Sequence, residues 1–246
     1  MENAEFTDPR LVPVYDALYP WGPPEALFLA LANETPAVRV ADVGCGTGRI
    51  TLALAEAGHT VTGVDPARAS LDAARAKPGA ERVVWLEGKA DVLPSVPFDL
   101  ALMTSHVAQF IVDDAEWDVT LAHLRRALVP GGRLIFDSRD PRARGWEAWN
   151  PTDSREEATL PDGREVVSWT EVTEVAGELV TFLTHYIFSG GKEELFSLGT
   201  LRFRPEETLR SSLERAGFEI EHIFGGWQRE PVGQGDGEFI VIARAK

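Results

Sequence analysis

The sequence predicts an α/β fold, in which a mainly parallel sheet carries helices on both faces and a second, antiparallel sheet is inserted late in the chain. Three observations lead to this prediction. From residue 38 onward, short β-branched apolar segments alternate with helical patterns. A glycine-rich turn, Gly44–Gly48, joins the first such segment to the first helix. Residues 142–204 then change to alternation with a period of two, which is typical of antiparallel strands.

The first strand and its turn form the most informative stretch. Residues 38–43 read as a strand buried on both faces, and glycines follow at positions 44, 46 and 48. A helical pattern then runs to Gly58, and a second strand from Thr60 stops at Asp65. This order of strand, glycine turn, helix, strand and acid is that of a nucleoside-binding βαβ unit.

Glycine and acid have separate physical roles in such a unit. Residues without a Cβ let the backbone approach a ligand closely. Asp65 follows Gly44 by 21 positions, close to the roughly 20 expected for an acid that accepts hydrogen bonds from ribose hydroxyls. A dinucleotide fingerprint would need glycine at residue 49, which is Arg49. The turn therefore disfavours NAD(P).

At this point the sequence resembles the class I S-adenosylmethionine-dependent methyltransferases. Asp42–Gly48 resembles the first motif of that family, and Gly63–Asp65 its ribose-binding acid. Phe98–Met103 resembles its fourth strand, and Leu128–Phe136 the turn into its fifth. We predict that Gly131-Gly132 form this turn and that the fifth strand runs from Arg133 to Asp137. The resemblance implies a Rossmann-like seven-stranded methyltransferase sheet, with S-adenosyl-L-methionine as cofactor and S-adenosyl-L-homocysteine as product.

The resemblance also implies where the cofactor binds, with one departure. Lys89 stands where the family has an acid that accepts from the adenine amine, and an ammonium group has no lone pair for this. Either Asp91 or the backbone of Ala90 takes that role. The nine residues that we predict to bind the cofactor are Asp42, Gly44, Cys45, Gly46, Asp65, Pro66, Ala90, Asp91 and Thr104. We predict no metal ligands.

The acceptor side is predicted from position in the fold. His106 follows the fourth strand, and ligands of open α/β sheets bind outside the carboxyl ends of strands. It is a candidate general base or acceptor-positioning group; alternatively, it is a hydrogen-bonded residue that starts the next helix. In the family, N-terminal helices shape the acceptor pocket, which implies that Tyr15, Tyr19 and Trp21 line it. The alternative is that these aromatic side chains anchor the helix to the core.

The remaining segments complete the predicted organisation. Asp137 and Arg139 follow the fifth strand and are further pocket candidates, unless they form an ion pair that fixes the loop. Three or four antiparallel strands, with turns at Gly177 and Gly190-Gly191, are inserted after the fifth strand. We predict an N-terminal helical lid (1–37), a cofactor-binding core (38–141 and 205–246) and the insertion (142–204), which either covers the acceptor or pairs two subunits as a homodimer.

The composition of the chain limits the classes of molecule with which it is expected to interact. The net charge of −15 disfavours nucleic acid, which requires basic surfaces. No apolar stretch approaches the roughly 18 residues of a membrane span, and the N-terminus lacks the features of a signal peptide. The single cysteine, Cys45, reads as a small residue in a tight turn. These features favour a cytoplasmic protein that acts on a small molecule.

The function predicted from sequence is methyl transfer from S-adenosylmethionine to a small-molecule acceptor by in-line displacement. In layout, the insertion is similar to that of amino-sugar N-methyltransferases. Two alternatives remain at this stage: a non-catalytic sensor or scaffold on the same fold, and an NAD(P)-dependent oxidoreductase.

Overall fold

Eleven strands form two sheets in the computed structural model, which describes residues 1–190 and 194–246. The strands are β1 (Arg39–Val43), β2 (Thr60–Asp65), β3 (Val84–Glu87), β4 (Phe98–Met103), β5 (Leu128–Arg139), β6 (Glu156–Thr159), β7 (Glu165–Ala176), β8 (Leu179–Phe188), β9 (Glu194–Arg202), β10 (Phe218–Phe224) and β11 (Glu238–Ala245).

The larger sheet has seven strands in the order β10-β11-β5-β4-β1-β2-β3. The five strands from β3 to β5 are parallel, and β11 runs antiparallel between β5 and β10. Strand order reverses between β1 and β4, so a crevice opens outside their carboxyl ends. The predicted fold class is confirmed.

Helices cover both faces of this sheet. The helices are α1 (Ala4–Thr7), α2 (Val12–Leu18), α3 (Pro23–Ala32), α4 (Arg49–Glu56), α5 (Arg68–Arg75), α6 (Val107–Phe110), α7 (Asp114–Ala127) and α8 (Glu206–Arg215). Side chains of α7 and α8 pack in one apolar core, and those of α3 and α4 in another. None of the helices in the described ranges has the length and apolar character needed to cross a bilayer.

Strand β5 begins earlier than the sequence predicts. The expected strand starts at Arg133 after a turn at Gly131-Gly132, whereas β5 begins at Leu128 and includes both glycines. The pairing with β4 jumps from Phe98↔Leu128 to Leu100↔Arg133. Gly131, with φ of 80°, absorbs the extra residues as an irregularity within the strand instead of ending it.

The insertion forms a separate four-stranded antiparallel sheet in the order β6-β7-β8-β9. Gly177 turns between β7 and β8 with φ of 62°, as predicted. Of the second predicted turn, Gly190 has φ of 78°, and Gly191 lies outside the described residues.

The N-terminal segment is attached to the inserted sheet. The Asn3 N–H donates to the Leu198 carbonyl (2.9 Å), and the Leu198 N–H donates to the Met1 carbonyl (2.9 Å). The Ala4 N–H donates to the Ser197 hydroxyl (2.8 Å). Because α1 also contacts α5 of the core, the N-terminal segment connects the inserted sheet to the larger sheet.

A buried arginine positions the segment that follows β4. Arg204 lies just after β9 and donates to the carbonyls of Ala108 (3.2 Å) and Ile111 (2.7 Å). Its guanidinium also lies over the Trp117 ring, 4.9 Å from the centroid. Since α6 directly follows His106, Arg204 holds the start of the candidate site against the insertion.

Candidate functional site

The glycine turn is held against the end of β2. Gly44, Gly46 and Gly48 have φ of 77°, 53° and 78°, in the left-handed region that glycine adopts without strain. The N–H groups of Gly44 and Cys45 both donate to the Val64 carbonyl, at 2.7 and 3.0 Å. The turn therefore curls over the carboxyl ends of β1 and β2.

Asp65 bridges the glycine turn and the start of the following helix. Its Oδ2 accepts from the Gly46 N–H (2.8 Å) and its Oδ1 from the Ala67 N–H (2.7 Å). Burial raises the pKa of Asp65, and these two hydrogen bonds oppose that effect. A carboxylate has about four acceptor positions, so two remain for the hydroxyls of a ribose.

A cavity of about 260 Å³ opens beside this turn. Six of the nine predicted cofactor-binding residues line it, and the other three do not. The six lining residues are Gly44, Cys45, Gly46, Asp65, Pro66 and Thr104.

The three remaining residues lie elsewhere. Asp42 is fully buried behind the turn and accepts from the Thr51 hydroxyl (2.5 Å). Ala90 is part of an apolar core, and Asp91 is exposed. Lys89 forms an ion pair with Glu116. The residue that reads adenine therefore stays a prediction.

The glycine turn has room for the expected cofactor. A Cβ added to Gly46 would meet no atom within 4 Å, although Gly46 lines the cavity. A Cβ on Gly44 would instead come within 2.4 Å of Val107. Gly46 thus leaves open space for a ligand, whereas Gly44 is needed for packing, and the residues present fit S-adenosylmethionine.

Cys45 lines the cavity as a protonated thiol. Burial and the negative charges of Asp42 and Asp65 raise the pKa of Cys45 well above its ordinary value. A thiolate nucleophile is therefore disfavoured at this position.

The N-terminal segment supplies walls that the sequence analysis did not identify. Asn3, Phe6 and Thr7 line the cofactor cavity together with Glu25 and Arg49. Arg49 pairs with Glu25 (3.1 Å), which joins the helix after the glycine turn to α3. The opposite charges of Glu25 and Arg49 are compatible with this contact in the sequence. The contact itself could not be predicted, because it depends on how α3 packs against α4.

A second cavity, of about 410 Å³, adjoins the first. Several aromatic side chains line it, and its far wall comes from the inserted sheet through Phe182, Thr184 and Tyr186. The residues shared by both cavities are Phe6, Tyr15, Glu25, Arg49, Ser105 and Phe110.

The predicted acceptor residues meet at this second cavity, with one exception. Tyr15 lines both cavities, and Tyr19 lines the second, with the two ring centroids 5.0 Å apart. His106 also lines the second cavity, as do Asp137 and Arg139. Trp21 lines neither of them and is half exposed.

His106 lies between two buried carboxylates. Its Nε2 lies 3.0 Å from Glu238 Oε2 and 3.3 Å from Asp137 Oδ2, and its backbone N–H donates to Asp137 Oδ2 (2.9 Å). Burial and the positive charge of Arg139 lower the pKa of His106 to about 3, against the opposite effect of Asp137. The imidazole is therefore neutral at neutral pH. Glu238, 132 residues away in sequence, was not identified by the sequence analysis.

Asp42 gives the folded chain a specific pH dependence. Burial raises its pKa to about 7 in the folded protein, whereas an unfolded aspartate has a pKa of about 3.9. At pH values between these two pKa values, folding takes up a proton at Asp42. The contribution of Asp42 therefore makes the free energy of unfolding fall as pH rises from about 4 to 7. The free energy of unfolding of Asp42→Asn minus that of wild type should therefore increase by more than about 1 kcal/mol from pH 5 to pH 8.

Urea unfolding of both proteins at the two pH values measures this difference. Asp118→Asn, which changes an exposed aspartate of α7, is the control and should show no such trend. A constant difference between Asp42→Asn and wild type across this range would contradict the buried, protonated state of Asp42.

Comparisons with known proteins agree with this geometry. A family described as a methyltransferase domain matches residues 40–132. A Streptomyces cypemycin N-terminal methyltransferase is 30% identical over 209 residues, which cover 82% of this chain and 81% of that protein. An uncharacterised methyltransferase of Mycobacterium tuberculosis is 33% identical over 173 residues, 65% of this chain and 68% of that protein.

Solved structures share the fold. A methyltransferase from Clostridium acetobutylicum has a TM-score of 0.74 at 16% identity, covering 96% of this chain and 98% of that one. A sugar N-methyltransferase from Streptoalloteichus has a TM-score of 0.73 at 21% identity (95% and 91%). An amino pentose methyltransferase from Micromonospora echinaspora, solved with S-adenosylmethionine bound, has a TM-score of 0.69 at 22% identity (92% and 92%).

The glycine turn, the acid at the end of β2, the strand order and these relatives agree on one cofactor, which excludes the NAD(P) alternative. The chain belongs to the class I S-adenosylmethionine-dependent methyltransferases.

Proposed function

We propose that the protein transfers the methyl group of S-adenosylmethionine to a small-molecule acceptor held in the second cavity. The observation that carries this proposal is the wall that the two cavities share. Tyr15, Ser105 and Phe110 line both cavities, so a molecule in the second would adjoin the cofactor. Such adjacency is the first requirement for a direct transfer between two bound molecules.

The cofactor side uses the residues of the glycine turn. In this proposal Asp65 accepts from the ribose, Gly46 lets the cofactor approach the backbone, and Gly44 and Cys45 line the cavity that holds it. Pro66 and Thr104 complete the cavity wall. The sulfonium of S-adenosylmethionine supplies an already activated methyl group, so the chain's main task is to align the acceptor and to exclude water.

The acceptor side combines aromatic walls with a polar end. Tyr15, Tyr19 and Trp149 present ring surfaces, which suit a compact organic molecule. His106 and Asp137 provide the polar groups that orient it. We assign to His106, Tyr15 and Tyr19 the role of shaping and positioning the acceptor, because alignment contributes more to such a transfer than a strong base does.

The segments outside the core enclose this cavity. Residues 1–37 act as a lid in this proposal, and residues 142–204 as the acceptor cover. Alternate residues of β8, namely Phe182, Thr184 and Tyr186, face the cavity. Ile187, which follows Tyr186 on the opposite face of β8, and Phe196 of β9 are exposed and remain available for pairing two subunits. Compact acceptors fit such an enclosure, and the net charge of −15 disfavours nucleic acid.

The relatives support the same class of acceptor. The names of three of them refer to N-terminal, sugar and amino pentose methylation. We therefore propose that the first acceptors to screen are small molecules and short peptides that carry an amine, followed by their hydroxyl counterparts.

An acceptor screen combined with one substitution tests the proposal. Formation of S-adenosylhomocysteine should depend on the added acceptor, and Trp149→Ala should raise KM for that acceptor about tenfold or more while leaving the Kd for S-adenosylmethionine unchanged. Trp149 packs edge-to-face on Phe182, with centroids 5.1 Å apart, inside the cavity.

The matched control is Trp169→Ala, because Trp169 stacks on His185 away from the second cavity. This variant should leave KM unchanged. Cofactor binding without turnover of any acceptor in the screen would favour a sensor or scaffold instead. A KM that rises equally in both variants would contradict the assignment of the second cavity.

A further inference from the structure

Three residues from separate strand ends converge beside the second cavity. His106 follows β4, Asp137 lies in β5, and Glu238 begins β11. One nitrogen or oxygen of each lies within 4.8 Å of the corresponding atoms of the others. The convergence follows from the topology, since β5 lies between β4 and β11 in the sheet.

The contacts within this cluster exceed what one proton can satisfy. His106 Nε2 lies 3.1 and 3.0 Å from the two oxygens of Glu238 and 3.3 Å from Asp137 Oδ2. A single N–H makes a well-aligned hydrogen bond to only one of these oxygens. Asp137 Oδ2 also accepts from the His106 backbone N–H (2.9 Å), so at least one oxygen of Glu238 faces Nε2 without a proton of its own.

One carboxylate oxygen of the cluster has no partner at all. Asp137 is 1% exposed, and its Oδ1 accepts no hydrogen bond although the side chain lies in the cavity wall. A buried acceptor without a donor costs about 1–3 kcal/mol. The unsatisfied oxygen therefore points to a ligand that the protein side chains do not replace.

No arginine or lysine within residues 1–190 and 194–246 forms an ion pair with Asp137 or Glu238. The nearby Arg139 donates instead to Gln109 Oε1 (3.1 Å) and lies over the Trp149 ring, 5.4 Å from its centroid. His106 therefore adjoins a pair of buried acidic groups without such a partner among the described residues. Burying such a group favours a cation that contacts both carboxylates directly.

We propose that His106, Asp137 and Glu238 bind one divalent transition-metal ion of the Zn²⁺ or Mn²⁺ type. Ligands about 2.1 Å from such an ion lie roughly 3.0 Å apart at right angles and roughly 3.4 Å apart in a tetrahedron. The distances from Nε2 to the two carboxylates, 3.0 and 3.3 Å, fall in this interval. One imidazole nitrogen and two carboxylates form a donor set that these ions accept.

This proposal replaces the expectation from sequence that the chain has no metal ligands. His106 lies 31 and 132 residues from its two partners in sequence. A metal site with such separations has no short sequence motif by which it could be predicted. An ammonium group is the competing occupant. It would hold its acceptors about 2.8 Å from its nitrogen, and these acceptors would lie about 4.6 Å apart in a tetrahedron. The separations of 3.0 and 3.3 Å between Nε2 and the two carboxylates match the smaller metal ion.

The ion would act on the acceptor, and this part of the inference rests on the proposed function. His106 and Asp137 line the second cavity, so an ion bound to them adjoins the acceptor. A hydroxyl group of the acceptor that completed the coordination would have its pKa lowered, and its oxygen would keep a lone pair for attack on the methyl group. An amine acceptor would instead be coordinated through another group, and the ion would only position it.

Metal titration of the whole chain tests the site without any acceptor. Protein stripped with a chelator and dialysed is titrated calorimetrically with Zn²⁺ and, separately, Mn²⁺, and bound metal is counted by elemental analysis. We expect one ion per chain with a Kd of about 10 μM or below for at least one of the two metals. Glu238→Gln and His106→Asn should each weaken that binding at least tenfold.

The inserted sheet offers a matched control. His185 also contacts two glutamates, Glu194 at 2.7 Å and Glu171 at 3.1 Å, but through its two different ring nitrogens. Such an arrangement cannot direct all three groups at one ion, so Glu171→Gln should leave metal binding unchanged. Circular dichroism melts confirm that each variant is folded.

Several outcomes would overturn the proposal. One is that wild type binds neither metal at 100 μM. Another is that both cluster variants bind the metal as tightly as wild type does. A third is loss of the ion in Glu171→Gln, which would show an adventitious ion only. If Glu238→Gln fails to fold, His106→Asn decides the question. Metal binding that persists in a protein that methylates no acceptor would overturn the proposed function and leave the metal site intact.

Discussion

We expect Asp65→Asn to weaken binding of S-adenosylmethionine by about 30-fold or more. The charged Asp65 carboxylate accepts from the Gly46 and Ala67 N–H groups and keeps two further acceptor positions free. An amide retains one oxygen, so the substitution removes charged acceptors and turns an NH₂ group toward a backbone donor. Losing one hydrogen bond to a charged group costs about 1.5–3 kcal/mol, and about 2 kcal/mol corresponds to 30-fold.

Calorimetric titration with S-adenosylmethionine and with S-adenosylhomocysteine measures this loss. Both ligands carry the same ribose, so both affinities should fall by a similar factor. The control is Asp72→Asn, which changes an exposed aspartate on α5 and should bind both ligands as wild type does. Unchanged affinity in a folded Asp65→Asn protein would contradict the ribose assignment.

The cofactor half of the site could be predicted from sequence because its information is local. Gly44, Gly46 and Asp65 lie within one βαβ unit, where the glycines set the backbone path and the strand length sets the position of the acid. The two sheets could be predicted for the same reason, since burial on one or two faces sets the periodicity of a strand. The early start of β5 could not, because Gly131 adopts a left-handed conformation inside a strand instead of ending it.

The acceptor half depends on contacts between distant segments. Glu238 reaches His106 only because β11 is antiparallel to β5 and β5 is parallel to β4. Phe6 reaches both cavities because α1 is attached to the inserted sheet. No spacing rule covers separations of more than 100 residues, so such partners appear only when the sheet order is known.

Two glycines of the same turn should respond in opposite ways to the same substitution. Gly44→Ala should destabilise the fold, because the new Cβ would lie 2.4 Å from a Val107 methyl group while φ stays at 77°. Gly46→Ala meets no protein atom within 4 Å, so its cost in stability is limited to the left-handed backbone, about 1 kcal/mol. We expect a loss of about 2–4 kcal/mol for Gly44→Ala.

Cofactor affinity should show the reverse order. A methyl group on Gly46 enters the open space where S-adenosylmethionine would contact the turn, so we expect its affinity to fall at least tenfold in a protein that remains folded. Urea unfolding and calorimetric titration of both variants measure the two effects separately. If Gly46→Ala bound the cofactor as tightly as wild type, Gly46 would not contact it. The free space at Gly46 would then belong to solvent, and close backbone approach, the physical reason for glycine in this turn, would apply to other positions.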